Sequence, residues 1–238
     1  STNSYSKDHA NKFGKIVIQD SGGRMKPANT FSSELLRKVS RSDTYNDLNS
    51  DQVLLSMMDN PGVWFNAPLV YIKSGQKGDT VKKIIGADLK IKKAPLVSFF
   101  DSLGNYKLAS NLEKAYLASV PTQIEKDIIE LDRRVNLLYS ALEGKIMRIF
   151  PIPEDINNKW VSYPEVNDFE FNGSDSLYVN NVLNLYFQTL RFSRDSGDYT
   201  QSDELLESVS GYQKKYGNEV MPSNFKINSE IVYNKANI

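Results

Sequence analysis

The 238-residue sequence predicts an α+β fold, predominantly helical, with a small β-hairpin or sheet near the N-terminal half. Three observations carry this reading. Residues 13–39 pass from a β-branched triplet through a glycine turn into helical apolar spacing. Residues 122–143 open on a capping sequence, keep an apolar stripe on one face and stop at a glycine. Residues 175–192 and 200–216 repeat the helical spacing on either side of a polar turn.

Taken in chain order, Ile16, Val17 and Ile18 within 15–19 suit a pleated, buried strand. Asp20-Ser21-Gly22-Gly23 follows as a turn in which glycine takes positive φ without a steric penalty. Asn29 or Thr30 is placed to cap the next helix, with Glu34 in its first turn and Phe31, Leu35 and Val39 on one face. Residues 51–59 read as a short helix stopped by Asn60-Pro61-Gly62, and a strand is expected around 69–73. The lysine- and glycine-rich stretch 74–93 reads as an exposed excursion with one or two helical turns at Val81, Ile84 and Ile85, its lysines a solvated face.

In the helix over 122–143, Thr122 and Glu125 form a capping box after Pro121 and Gly144 closes the far end. Ile124, Ile128, Leu131, Val135, Leu138 and Leu142 share one stripe, and Glu130 precedes Arg134 by four residues on a more exposed face. The helices over 175–192 and 200–216 form a hairpin across the turn 194–199. In the second, Thr200 caps with Asp203 three positions on, Leu205, Val209, Tyr212 and Tyr216 make the buried stripe, and Gly217 ends it. After Pro222, the positions of Phe225, Ile227, Ile231 and Val232 suggest a last helix that runs off the end, with a frayed tail as the alternative.

Composition describes an ordinary globular chain: 40% hydrophobic, 24% charged, with 29 basic and 29 acidic residues. That balance offers no electrostatic footprint for nucleic acid. The whole chain, 1–238, reads as a single unit, with a possible division into a mixed α/β region over 1–160 and a helical region over 161–238. No apolar run approaches the roughly 20 residues needed to cross a bilayer, and the start lacks the pattern of a signal peptide. Without cysteine, disulfide and thiolate chemistry are excluded.

Catalytic and metal patterns are sparse. His9 is the single histidine, and no nucleophile-elbow sequence accompanies it. A zinc site would depend almost wholly on carboxylates. Asp47-Leu48-Asn49-Ser50-Asp51 imitates the start of a calcium loop, but Gln52 stands where the loop needs glycine, so Asn49, Ser50 or Asp51 reads instead as a helix cap. Gly75 and Gly78 lack the Gly-Lys-Ser/Thr ending that cradles phosphates. Adjacent carboxylates such as Glu154 and Asp155 read as solvated surface, and most of the 13 tyrosines and 11 phenylalanines as core.

The segment 9–38, with DQVLLSMMDNPGVW (51–64), RIFPIPEDINNKW (148–160), YQKKYG (212–217) and KINSEIVYNKANI (226–238), resembles the soluble extracytoplasmic region of fused ResB/CcsA-type system II cytochrome c synthases. The likeness covers most of the chain in patches. It implies a periplasmic domain anchored by flanking transmembrane segments of a longer protein, with Ser1 and Ile238 as internal cut points. It also implies apocytochrome c or other maturation proteins as partners, and haem as the cofactor of the full-length protein but not of this region alone. The family's Trp-rich haem-handling signature and haem-ligating histidines have no counterpart here, since Trp64 and Trp160 stand far apart. No catalytic residue is carried over. His9, just before the diagnostic segment, is the candidate haem ligand. Its place in a polar leader over 1–12 predicts a mobile, solvent-exposed side chain. The resemblance implies a scaffold or partner platform. The rival readings are a secreted peptide- or carbohydrate-binding module working through exposed Tyr and Trp, and a hydrolase that would need a cleft gathering carboxylates or His9 with a nucleophile.

Overall fold

The computed structural model describes residues 4–236, with the side chains of Gln76 and Lys77 left out. The N-terminal leader departs from expectation at once. The Ser6 hydroxyl accepts from the His9 N–H and caps α1 (Lys7–Phe13), which buries His9, Ala10 and Phe13. Far from being mobile and exposed, His9 is 1% exposed. The polar residues Lys7, Asp8, Asn11 and Lys12 hide a helix whose inward face is only three residues wide.

The hairpin forms as the triplet and glycines predict: β1 (Val17–Gln19) pairs antiparallel with β2 (Met25–Pro27) across a turn with Gly23 at φ 83. In α2 (Ala28–Ser40) the predicted cap is wrong. The helix starts earlier, Pro27 occupies the N-cap without a side-chain bond, and Asn29 and Thr30 are buried inside the helix. The short strands β3 (Thr44–Tyr45) and β4 (Leu48–Asn49) lead into α3 (Ser50–Asp59), where Asn49 caps and exchanges bonds with Gln52. Pro61 and Gly62 do not simply end the helical path. Proline fits the first helical position, where it lacks only an orphan N–H, and α4 (Pro61–Phe65) begins there.

Next, β5 (Pro68–Tyr71) pairs with β6 (Lys93–Pro95) around α5 (Gln76–Ile85). This excursion is better anchored than its composition suggests. Val81 and Ile85 are buried, and so is Lys82, whose Nζ donates to the Leu89 carbonyl at 2.7 Å. After a 3-10 turn at Leu96–Phe99 come α6 (Ala109–Leu117) and α7 (Gln123–Leu142). The α7 capping box forms between Thr122 and Glu125, and Ile128, Leu131, Val135 and Leu138 are buried as the stripe requires. Ile124 lies outside the core, and Arg134, expected on the exposed side, is buried.

The segment RIFPIPEDINNKW opens with β7 (Arg148–Pro151) and ends on the first residue of β8 (Trp160–Ser162), two strands that local reading misses. They extend the hairpin into a four-stranded antiparallel sheet of order β2-β1-β7-β8. The β1–β7 seam is one backbone pair, Gln19 with Arg148. It is reinforced by Gln213, which donates to the carbonyls of Val17 at 2.8 Å and Ile149 at 2.9 Å.

A 3-10 turn at Tyr163–Asp168 precedes the predicted hairpin of α8 (Gly173–Ser196) and α9 (Thr200–Gly217), the helix that carries Gln213. Tyr199, not Thr200, occupies the α9 N-cap, without a side-chain bond, and Asp203 is used elsewhere. Gly217 is required by packing, because a Cβ there would stand 2.4 Å from Trp160 Cζ2. Finally, α10 (Asn224–Lys235) is capped by Ser223 and buries Ile227 against Val17 and Trp160. Phe225 and Val232, two of the residues whose spacing suggests this helix, face outward. The main apolar cluster runs from Tyr5 to Tyr212 and includes Trp64, whose Nε1 donates to Ser56 at 2.9 Å. The fold is α+β and predominantly helical, 59% helix and 11% strand.

Candidate functional site

Helical spacing gives α1 two working faces. His9 lies about 200° from both Lys7 and Asn11 around the helix, so the imidazole and those side chains point to opposite sides. On the His9 side, Nδ1 lies 2.7 Å from Asp203 Oδ1 of α9 and Nε2 2.8 Å from the Tyr186 hydroxyl of α8. With a carboxylate on one nitrogen and a hydroxyl on the other, the neutral tautomer carries its proton on Nδ1 and accepts from Tyr186 at Nε2. The ring stacks on Tyr186 and sits 5.0 Å from the Tyr199 ring. Burial pushes the imidazole pKa below its ordinary value, and Asp203 only partly offsets this. Asp203 itself is held low: burial raises it, but bonds from Lys12 and His9 outweigh that.

This arrangement ties α1 to the α8–α9 hairpin. A haem iron would have to displace Tyr186 to reach Nε2, and among the described residues no group of three His, Asp or Glu side chains is placed to hold a metal. Nor does His9 meet a serine hydroxyl through its ring. A second tie to α8 is made at Asp59, at the end of α3, which accepts from the Tyr5 hydroxyl and from Arg191 Nε at 2.7 Å.

On the opposite side, α1, α2, the start of α3 and the end of α10 surround a polar cavity of about 330 Å³. Lys7 and Asn11 of α1 form one wall, and Ser33 and Arg37 of α2 another. Its floor is Asp51, 2% exposed. Asp51 Oδ1 accepts from Ser32 Oγ at 2.6 Å and Oδ2 from Asn29 Nδ2 at 2.7 Å. Burial raises the Asp51 pKa, and those two bonds and Lys235 restrain the shift without reversing it. The chain of bonds continues to the surface, because Asn234 donates to Asn29 Oδ1 at 3.1 Å and Arg37 donates to Asn234 at 2.7 Å. Lys235 closes the rim by donating to Asn11 at 2.9 Å.

Chemically, this is a cavity lined by polar and charged side chains over a hydrogen-bonded carboxylate. Its lining holds three cations, Lys7, Arg37 and Lys235, and two carboxylates, Asp43 and Asp51, with Arg37 Nε 3.7 Å from Asp43, so the charges nearly offset one another and the walls select no sign of ligand. Ser33 and Ser50 line it but bond each other at 3.0 Å, so neither is paired with a general base. Sequence reasoning places Asn49, Ser50 or Asp51 at a helix cap. Asn49 has that role, while Asp51 and Asn29 serve the cavity floor. The available signal is the surplus of cap-type residues: only one of them can cap each helix, which frees the others for tertiary bonds.

No protein-family model matches the chain. Protein NrfI of Wolinella succinogenes is 30% identical over 237 residues, covering 98% of this chain and 25% of NrfI. The chain is similar to NrfI. It spans about a quarter of the length of that relative. The sequence likeness extends along nearly all of this chain and is not confined to a single motif.

Proposed function

We propose that this chain is the extracytoplasmic accessory domain of a membrane cytochrome c biogenesis protein, a platform that positions apocytochrome c or another maturation partner beside a haem site lying outside it. The observation that carries the reading is the end-to-end similarity to NrfI, which supports a cytochrome c biogenesis family. The resemblance of five separate segments to the system II synthases supports the finer placement at the periplasmic face, between transmembrane segments. No described helix is long and apolar enough to cross a membrane, so the anchor is assigned to the flanking regions of the intact protein.

The architecture suits a platform. The His9 network fastens the first helix to the last hairpin, and Gln213 fastens that hairpin to the sheet, so surfaces contributed by distant segments keep a fixed geometry. The rival binding module loses its tryptophans, since Trp64 and Trp160 are both 0% exposed.

Two titrations of the purified chain test the proposal. Apocytochrome c is expected to bind saturably, and haem is expected to give no Soret shift. A saturable Soret shift that disappears in His9→Ala would instead put this chain on the haem path. Absence of apocytochrome binding together with that shift would overturn the platform reading.

A further inference from the structure

Independently of that reading, the spacing along α7 places Glu130, Arg133, Arg134 and Leu137 on one face. This face packs beside the C-terminal end of α2, where Lys38 and Arg41 stand three residues apart. Between them lies a groove of about 190 Å³ lined by these six residues. Four are cations and one is a carboxylate.

That carboxylate is already committed. Arg134 and Arg41 both bond Glu130 Oε1, the latter at 3.1 Å, and Lys73 reaches Oε2 at 3.3 Å. Burial raises the Glu130 pKa, but Arg134, Lys73 and Arg41 outweigh it, so Glu130 stays ionised. Arg134 is further fixed over the Tyr71 ring at 5.7 Å. Lys73 also bonds Asp127, and Lys38 has Glu34 at 3.7 Å. Five cations therefore face three carboxylates at this one place, on a chain whose charges balance at 29 and 29. The negative end of α2 accounts for Lys38 and for the turning-back of Arg41, which caps the helix at φ 56. It does not account for Arg133, which sits in the middle of α7, is exposed and has no ion-pair partner among the described residues.

We infer that the groove between α2 and α7 docks an acidic segment of a partner polypeptide. The unspent charge is guanidinium and ammonium, and the planar fork of arginine matches a carboxylate. The concave shape, with Leu137 and the aliphatic stems of the basic side chains as its apolar walls, admits a side chain together with its backbone. A flat anionic bilayer would meet only the outermost cations.

The test uses a fluorescein-labelled oligoglutamate peptide and the whole chain, read by anisotropy at low and high salt. Lys38→Glu with Arg133→Glu changes two exposed side chains, so an unchanged melting temperature certifies folding. Binding that weakens with salt and falls by about tenfold or more in the double variant supports the inference. Arg133→Lys, which keeps the charge but loses the fork, is expected to fall between the two. Absence of oligoglutamate binding at low salt, binding unchanged in the double variant, or binding only to phosphatidylserine-containing vesicles would each overturn it.

Discussion

Replacing His9 by alanine removes the pin between α1 and the α8–α9 hairpin, and the cost follows from the contacts. The Tyr186 hydroxyl, on a side chain 1% exposed, loses its acceptor, and Asp203 loses one of its donors. A buried polar group left unsatisfied costs about 1–3 kcal/mol. Loss of the ring stacked between Tyr186 and Tyr199 adds a packing term, so the total is about 3 kcal/mol or somewhat more. For a chain of this size, that lowers the melting temperature by about 6–12 °C.

The pH dependence gives a sharper check. Because the folded pKa of His9 lies below 6.5, the unfolded chain takes up a proton that the folded chain refuses as pH falls through that value. Wild-type stability therefore declines from pH 6.5 down to the folded pKa and is unaffected by His9 at higher pH. Asp203 acts in the same direction further down: its lowered pKa gives stability that is present above the unfolded value of 3.8 and lost as pH falls through the folded one. The deficit of His9→Ala should be full at about pH 8 and shrink as pH falls to about 5. Differential scanning fluorimetry across that range measures it. A variant as stable as wild type at pH 8, or a deficit that does not change with pH, would refute the reasoning.

Three further outcomes are expected. Gly217→Ala drives a methyl to 2.4 Å from the Trp160 ring and should cost about 1–3 kcal/mol in urea unfolding, whereas a surface alanine such as Gly211→Ala, with no atom within 4 Å of the added carbon, should not. Thr122→Ala breaks the α7 capping box and should lower stability by about 1 kcal/mol, or about 2–4 °C in melting temperature. Asp51→Ala strips the acceptor from Asn29 Nδ2, while Ser32 Oγ keeps the Asn29 carbonyl at 2.9 Å, and should cost about 2 kcal/mol in the same unfolding assay.

Legibility in the sequence follows the range of the interactions. The helix α7 can be read closely because its capping box and stripe are local, and the β1–β2 turn because Gly22 and Gly23 sit together. Strands β7 and β8 cannot, since each is three or four residues long and β7 finds its β1 partner on the far side of the chain, Arg148 opposite Gln19. Asn29 and Asp203 read as local caps because their side chains suit that role; the fold uses them for Asp51 and His9 instead. His9 stands out in the sequence as the single histidine, but the two helices that bury it lie far along the chain from it. The cavity above Asp51 needs residues from both ends of the chain, Lys7 and Lys235 among them, so no window along the sequence contains it. The charge surplus beside Arg133 is hidden for a related reason: only the packing of α2 on α7 brings Lys38 and Arg41 to it.

The central claim is that this chain serves cytochrome c maturation as a partner platform and not as the haem site. The most direct measurement is haem staining of holocytochrome c in cells making the intact protein with and without this segment, alongside the Soret absorbance of their membranes. The account predicts that removing the segment abolishes holocytochrome c while the membrane-bound protein accumulates and keeps its haem absorbance. Holocytochrome c at the undiminished level without the segment would contradict it.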